Sequence, residues 1–210
     1  PPLFMEFNEN YFQTTYKDYF LQNPYKKMGF YVDLIKKFKP NPKLLDMGCA
    51  YGRFLSVLPD WHIYGFDPSE HAINYAQYLA PNAKLRVASL PDIPFDESFD
   101  VITAFDVLEH IEDLNATIEA VYKKLKTGGV FIFCVPVYDG ITSPVIRFLD
   151  KDPTHIQKKT RWFWFDLIGK KFEILDWLGV YRYFLWVYYF HLPTKKFRKY
   201  TPAIIVVAKK

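Results

Sequence analysis

The chain has 210 residues, half of them hydrophobic and a fifth aromatic, with 27 Lys and Arg against 23 Asp and Glu for a net charge of +4. That is enough apolar surface for one large core and little room for two, so a single domain over 1–210 is expected. No stretch reaches the ~18 to 20 apolar residues that a membrane-spanning helix needs, the aromatic run Tyr183 to Leu192 being too short, and Met5 to Tyr11 carries acids and aromatics rather than a secretory leader, so a cytoplasmic protein is expected.

Residues 1–39 read as helical, with Tyr11, Phe12, Tyr16, Tyr19 and Phe20 near a 3.6-residue period, a break at Asn23-Pro24, and a second helix over Phe30 to Phe38. Pro40, Asn41 and Pro42 end that preface. Leu44-Leu45-Asp46-Met47-Gly48-Cys49-Ala50-Tyr51-Gly52 then reads as a strand and a tight turn opening a short helix to about Leu58. Small residues at alternate positions let the backbone reverse and let a ligand lie against main-chain N–H groups. A second strand, Ile63 to Phe66, ends in Asp67, placed as the acid of a doubly wound nucleoside site is placed to grip ribose hydroxyls. Pro68-Ser69-Glu70 starts a helix that carries Ala72, Ile73, Ala76 and Leu79 inward until Pro81-Asn82. A third strand is expected over Lys84 to Ala88, a fourth over Val101 to Phe105 and a fifth over Val130 to Val135, with a helix from about Leu114 to Leu125 ahead of Gly128-Gly129. Loops from Pro136 to Thr160 face the substrate, a helix carries Trp162 to Ile168, and Phe172 to Trp177 and Pro202 to Ala208 supply the sixth and seventh strands.

The Asp46-x-Gly48-x-Ala50-x-Gly52 turn, the Ile93-Pro94-Phe95-Asp96-Glu97-Ser98-Phe99-Asp100-Val101-Ile102 segment, Asp106-Val107-Leu108-Glu109-His110 and Asp152-Pro153-Thr154-His155 together resemble the class I S-adenosylmethionine (SAM) methyltransferases, in the broad small-molecule subset with an Asp-Val-Leu-Glu-His motif. The resemblance covers roughly Pro42 to Gly179. It implies an α/β, Rossmann-like sheet of seven mostly parallel strands, the last antiparallel, with helices on both faces. Residues 40–135 would then hold the cofactor and 136–210 face the substrate. It implies SAM as cofactor, bound by Asp46, Gly48, Cys49, Ala50, Gly52, Asp67, Pro68, Ser89, Leu90 and Phe105. Two positions depart from the family: Ala50 stands where glycine is usual, and Ser89 where an acid commonly meets the adenine.

Methyl transfer from a sulfonium releases a neutral thioether, so positioning does most of the work. A hydroxyl acceptor must still lose its proton, and His110 and His155 are the candidate general bases. Asp106, Glu109 and His110 also stand at i, i+3 and i+4, a spacing that would put three ligand-type side chains on one face of a helical turn. With His155 as a fourth, this set resembles the metal sites of ubiquinone-pathway O-methyltransferases and small-RNA 2′-O-methyltransferases, although Asp106 is a methylene shorter than their first ligand. The metal-free base is the reading preferred from sequence. Cys49 and Cys134 make no zinc or redox spacing.

The acceptor is expected to be a small molecule with a hydroxyl or other heteroatom. Residues 1–135 carry net −4 and 136–210 net +8, and the second part also holds Trp162, Trp164, Trp177, Tyr181, Tyr183, Trp186, Tyr188 and Tyr189, which suits an anionic or aromatic acceptor. No RNA-binding module is recognisable. Three readings compete: a SAM-binding protein without catalysis, an RNA or nucleotide methyltransferase, and an NAD-dependent oxidoreductase, whose cofactor is also held by glycine turns and ribose-gripping acids.

Overall fold

Strand residues alternate between two buried sets. Leu45 and Met47, Ile102 and Ala104, Phe131, Phe133 and Val135, and Ile204 and Val206 line one core, while Leu44, Val101, Val130, Ile132 and Cys134, and Ile205 and Val207 line the other. A strand buried on both faces needs helices on both sides, and the computed structural model has that form; it describes Thr14 and residues 17–140, 143–149, 152–185 and 188–210.

The helices α1 (Tyr19–Gln22) and α2 (Tyr25–Phe38) precede the sheet. There follow β1 (Lys43–Met47), β2 (His62–Asp67), α3 (Glu70–Leu79), β3 (Lys84–Val87), β4 (Phe99–Phe105), α4 (Leu114–Lys124), β5 (Leu125–Pro136), α5 (Ser143–Leu149), α6 (Arg161–Gly169), β6 (Glu173–Leu185), β7 (Tyr188–Thr194) and β8 (Ala203–Lys209). Three helices are capped in the expected way: Ser69 accepts from Ala72 N at 3.2 Å, Asp113 from Ala116 N at 2.9 Å and Thr160 from Phe163 N at 3.2 Å. One core takes Leu114, Ile118 and Val121 of α4 with Trp164, Leu167 and Ile168 of α6; the other takes Met28, Tyr31, Val32 and Ile35 of α2 with Ile73 of α3.

The sheet order is β3-β2-β1-β4-β5-β8-β6-β7. The first five strands in that order are parallel, and β8 enters antiparallel between β5 and β6. The Rossmann-like architecture and the antiparallel last strand are as expected. The strand count is eight, one more than expected, because the chain does not leave the sheet after Trp177: β6 continues to Leu185 and pairs antiparallel with β7. Aromatic and β-branched residues favour such a ribbon. The expected helix between Gly52 and Leu58 is a single 3₁₀ turn, Leu55–Val57, since Pro59 leaves too few residues to nucleate an α-helix. Tyr11, Phe12 and Tyr16 lie outside the described residues, as does Trp186.

The chain runs from β1 outward to β3 and then returns to β4 on the other side of β1. That reversal opens a crevice at the carboxyl ends of β1 and β4, the place where open α/β sheets bind ligands.

Candidate active site

At the end of β1 the backbone takes three left-handed steps, Gly48 at φ 67°, Ala50 at φ 45° and Gly52 at φ 74°. The turn is pinned to β2: Gly48 N and Cys49 N donate to Phe66 O at 2.9 and 3.1 Å, and Ala50 N donates to Asp67 Oδ2 at 2.9 Å. Asp67 Oδ1 accepts from Ser69 N at 3.0 Å. One carboxylate therefore ties the glycine turn to the start of α3. A Cβ on Gly48 would lie 2.6 Å from Val107 Cγ2. Gly48→Ala combines that overlap with a left-handed φ, and is expected to cost about 2–4 kcal/mol of stability, read as a lower midpoint in urea.

Asp46 is buried on β1 and accepts from Thr103 Oγ1 at 2.7 Å. Burial, with the Asp67 charge adding to it and the Thr103 bond opposing, pushes its carboxyl up to about 7. Burial likewise lifts Asp67 to about 6 against the pull of the Ser69 and Ala50 N–H groups. Two carboxyls poised near neutrality beside the turn suit a ligand bearing an ammonium and hydroxyl groups.

The other expected cofactor contacts divide. Cys49 is buried among Leu55 and Ile63, so only its backbone faces the turn. Pro68 and Ser89 are exposed beyond β2 and β3, and Leu90 packs half-buried against the core. Phe105 closes β4, stacked on Tyr31 at 3.8 Å between ring centroids and edge-on to Phe54.

Beyond β4 the expected alignment of three ligands breaks. Asp106 adopts φ 59°, and only Leu108–His110 form a 3₁₀ turn. Asp106 therefore leaves the face shared by Glu109 and His110 and pairs with Arg182 of β6 and, at 3.6 Å, with Lys27 of α2. Burial works against its charge, but Arg182 and then Lys27 outweigh it and hold the carboxyl well below the usual range.

His155 takes the place that Asp106 vacates. The ligand atoms of Glu109, His110 and His155 lie within 4.8 Å of one another, and the two imidazole centroids are 4.8 Å apart. His110 Nδ1 faces Thr154 O at 3.1 Å and Thr154 Oγ1 at 2.8 Å. A carbonyl only accepts, so Nδ1 carries the proton and Nε2 the lone pair. Thr154 Oγ1 donates in turn to Asp152 Oδ1 at 2.6 Å. Burial and then the neighbouring His155 push His110 down to about 4, away from the free-imidazole value. Glu109 is fully buried with both carboxylate oxygens unpartnered among the described residues, and burial followed by the Asp106 charge raises its carboxyl well above the ordinary range. Such a group is costly unless it holds a proton or meets a cation.

Thr103, Thr154, Lys27 and Arg182 were not singled out from sequence. Thr154 sits inside the Asp152-to-His155 motif and was open to recognition. Lys27 and Arg182 arrive from α2 and β6 and carry no local signal.

Among the described residues, several aromatic and basic side chains of the second part are spread over separate places. Trp164 is buried in the core and Trp162 is exposed on the outer face of α6. Lys170, Lys171 and Lys195 pair with Asp166, Glu119 and Asp176, and Lys210 binds the Tyr122 and Leu125 carbonyls. No helix among the described residues is long and apolar enough to cross a membrane.

Comparison with known proteins agrees with this geometry. Residues 18–197 match the methyltransferase domain family. A probable SAM-dependent methyltransferase of Mycolicibacterium smegmatis is 28% identical over 142 residues, 66% of this chain and 54% of that protein. The tRNA (carboxymethyluridine(34)-5-O)-methyltransferase of Saccharomyces cerevisiae is 30% identical over 127 residues, 58% of this chain and 46% of that protein. Small-molecule N-methyltransferases are also among the distant relatives: phosphoethanolamine N-methyltransferase 1 of Arabidopsis thaliana is 34% identical over 99 residues, 43% of this chain and 20% of that protein. The chain spans about half the length of the first two of these relatives. A SAM-dependent methyltransferase from Thermotoga maritima shares the fold, with a TM-score of 0.70 at 18% identity over 95% of this chain and 96% of that one. The turn held by Asp67, the crevice at the strand reversal and the family match over most of the chain lead to one conclusion: the chain belongs to the SAM-dependent methyltransferase family.

Proposed function

We propose that the protein transfers the methyl group of SAM to a heteroatom of a small-molecule acceptor, with the His110 and His155 pair receiving the acceptor's proton. The observation that carries this reading is the placement of two unlike groups on one edge. The Asp67-pinned turn follows β1 and β2, and of the His110–His155 pair His110 follows β4 and His155 lies in the chain after β5. Asp46 would take the methionine ammonium, Asp67 the ribose hydroxyls and the turn the rest of the amino-acid moiety. The sulfur leaves as a neutral thioether, so the chain's task is to align the acceptor in line with the methyl group and to accept one proton. Thr154 holds His110 with Nδ1 protonated and Nε2 carrying the lone pair, and Asp152 anchors Thr154. Substituting His110 or His155 by Gln should reduce turnover about a hundredfold or more, the usual scale for a positioned proton acceptor, while SAM binding persists. The measurement is transfer of label from methyl-tritiated SAM to panels of hydroxyl and amine compounds, with tRNA included and NADH binding run beside it. Tight NADH binding, or transfer to tRNA alone, would contradict the proposal, and SAM binding without transfer to any acceptor would favour a non-catalytic protein.

A second reading is supported by the unpartnered Glu109 carboxylate. One carboxylate and two imidazoles within reach of one another fit Mn²⁺ or Zn²⁺, and less well Mg²⁺. Glu109, His110 and His155 would hold the ion, which when bound would supply a Lewis acid for a hydroxyl. Asp106 has no part in that set.

A further inference from the structure

Across β1 from Asp67, two cations share one carboxylate. Lys27 approaches from α2 and Arg182 from β6, and both meet Asp106 at the end of β4. The side chains are 4% exposed for Lys27 and 19% for Arg182 and for Asp106. Among the described residues Asp106 is the carboxylate that either cation pairs with, and Glu109 makes no ion pair with either. The cluster therefore holds an excess positive charge in a largely covered place, where unbalanced charge is expensive.

The surroundings favour a ligand over a closed structural bridge. Nη1 is the Arg182 nitrogen that finds an acceptor among the described residues, so the rest of the guanidinium fork remains for a bidentate anion. Lys27 is braced by Asn23 Oδ1 at 3.1 Å and Gln22 O at 3.4 Å, and lies 5.3 Å from the centre of the Tyr189 ring. Asp106 keeps its left-handed backbone through a 2.9 Å bond from its N–H to Cys134 O, a conformation that aims the carboxylate at the two cations. Tyr31, stacked on Phe105 and 3.4 Å from His191 Nε2 through its hydroxyl, walls the same edge. Burial, with Lys27 next in weight, pushes His191 down to about 3, so this imidazole adds no further charge.

We infer that the Arg182 guanidinium, with the charge of Lys27 beside it, forms a receptor for an anionic group, a phosphate or a carboxylate, carried by the methyl acceptor, with Asp106 orienting the guanidinium. This rests on the methyltransferase reading above and names the acceptor class for that site. Inorganic phosphate and phosphoethanolamine serve as probes, with ethanolamine as the counterpart lacking the anion, each titrated by calorimetry into protein saturated with S-adenosylhomocysteine. Phosphoethanolamine and phosphate should bind and ethanolamine should not. Arg182→Met should weaken both anions about tenfold to a hundredfold, the scale of charge-assisted hydrogen bonds, Arg182→Lys should restore part of the loss, and S-adenosylhomocysteine affinity should stay at the wild-type value. Equal binding of ethanolamine and phosphoethanolamine to the wild type, which needs no variant to fold, would overturn the inference. Loss of S-adenosylhomocysteine affinity in Arg182→Met with phosphate binding unchanged would also overturn it, assigning the cations to the cofactor's own carboxylate. Failure of the wild type to bind S-adenosylhomocysteine would sink the methyltransferase reading instead, and the phosphate titration repeated without it would still decide the receptor.

Discussion

Asp67→Ala is expected to weaken binding of S-adenosylhomocysteine by about 1.5 to 3 kcal/mol, the range for hydrogen bonds to a charged group, or roughly tenfold to more than a hundredfold in Kd. The carboxylate has two tasks. It already accepts from Ala50 N and Ser69 N, and each oxygen keeps a further lone pair that a ribose hydroxyl would complete. Removing it frees the turn and the start of α3 together with the ligand contact, so Asp67→Asn, which keeps the shape, should retain more affinity than Asp67→Ala. The pH dependence carries a second signature. Asp67 ionises near 6 and Asp46 near 7 in the folded protein, against 3.8 for an unperturbed carboxyl. The folded state therefore holds protons that the unfolded chain releases, and the unliganded protein loses stability as pH rises from about 4 through 7. Ligand affinity moves the other way, strengthening from pH 5.5 to 8 as the two carboxylates form. Asp67→Asn should remove the lower part of that rise. Calorimetric titration across this range checks both statements; an unchanged Kd for Asp67→Ala would place the cofactor elsewhere.

Which features were legible in the sequence follows from how far apart the interacting residues lie along the chain. The glycine turn, the strand ending in Asp67 and the helix start at Ser69 are local, so turn chemistry and periodicity reach them. The family motifs imply a mostly parallel sheet with an antiparallel last strand, which the structure has. The β6–β7 hairpin was misjudged because Tyr183 to Leu192 reads as one apolar run, and nothing in such a run says where it folds back. The i, i+3, i+4 argument for Asp106, Glu109 and His110 failed for a sharper reason: it assumed helical φ and ψ at a residue that the structure holds at φ 59°. One left-handed step sent the first carboxylate to Arg182, 76 residues further on, and left its place to His155. Partners at such separations are set by topology, and no local pattern marks them.

Glu109 is where the metal-free and metal-bound readings of the site part. On the metal-bound reading, metal-stripped protein takes up Mn²⁺ or Zn²⁺ at a single site by calorimetry, and Glu109→Gln or His155→Gln reduces that affinity about a hundredfold or more, because each removes one of three protein ligands. The physical ground is the cost of burying the Glu109 carboxyl. Glu109 is fully covered, its two oxygens meet no donor among the described residues, and its carboxyl is raised well above the ordinary range. A group of that kind destabilises the fold unless function retains it. Glu109→Met, similar in length and without the charge, should therefore raise the melting temperature of the metal-stripped protein, and more at pH 8 than at pH 5, since burial raises the folded carboxyl well above the 4.5 of the unfolded glutamate, so the wild type loses stability as pH rises past that value. Chelation by EDTA should then abolish turnover and leave S-adenosylhomocysteine binding intact, with one divalent ion restoring activity. If the stripped protein binds no ion and turns over unchanged in EDTA, the two histidines act alone. The pH profile would then separate them: a step near pH 4 would belong to His110, whose imidazole burial and His155 hold low.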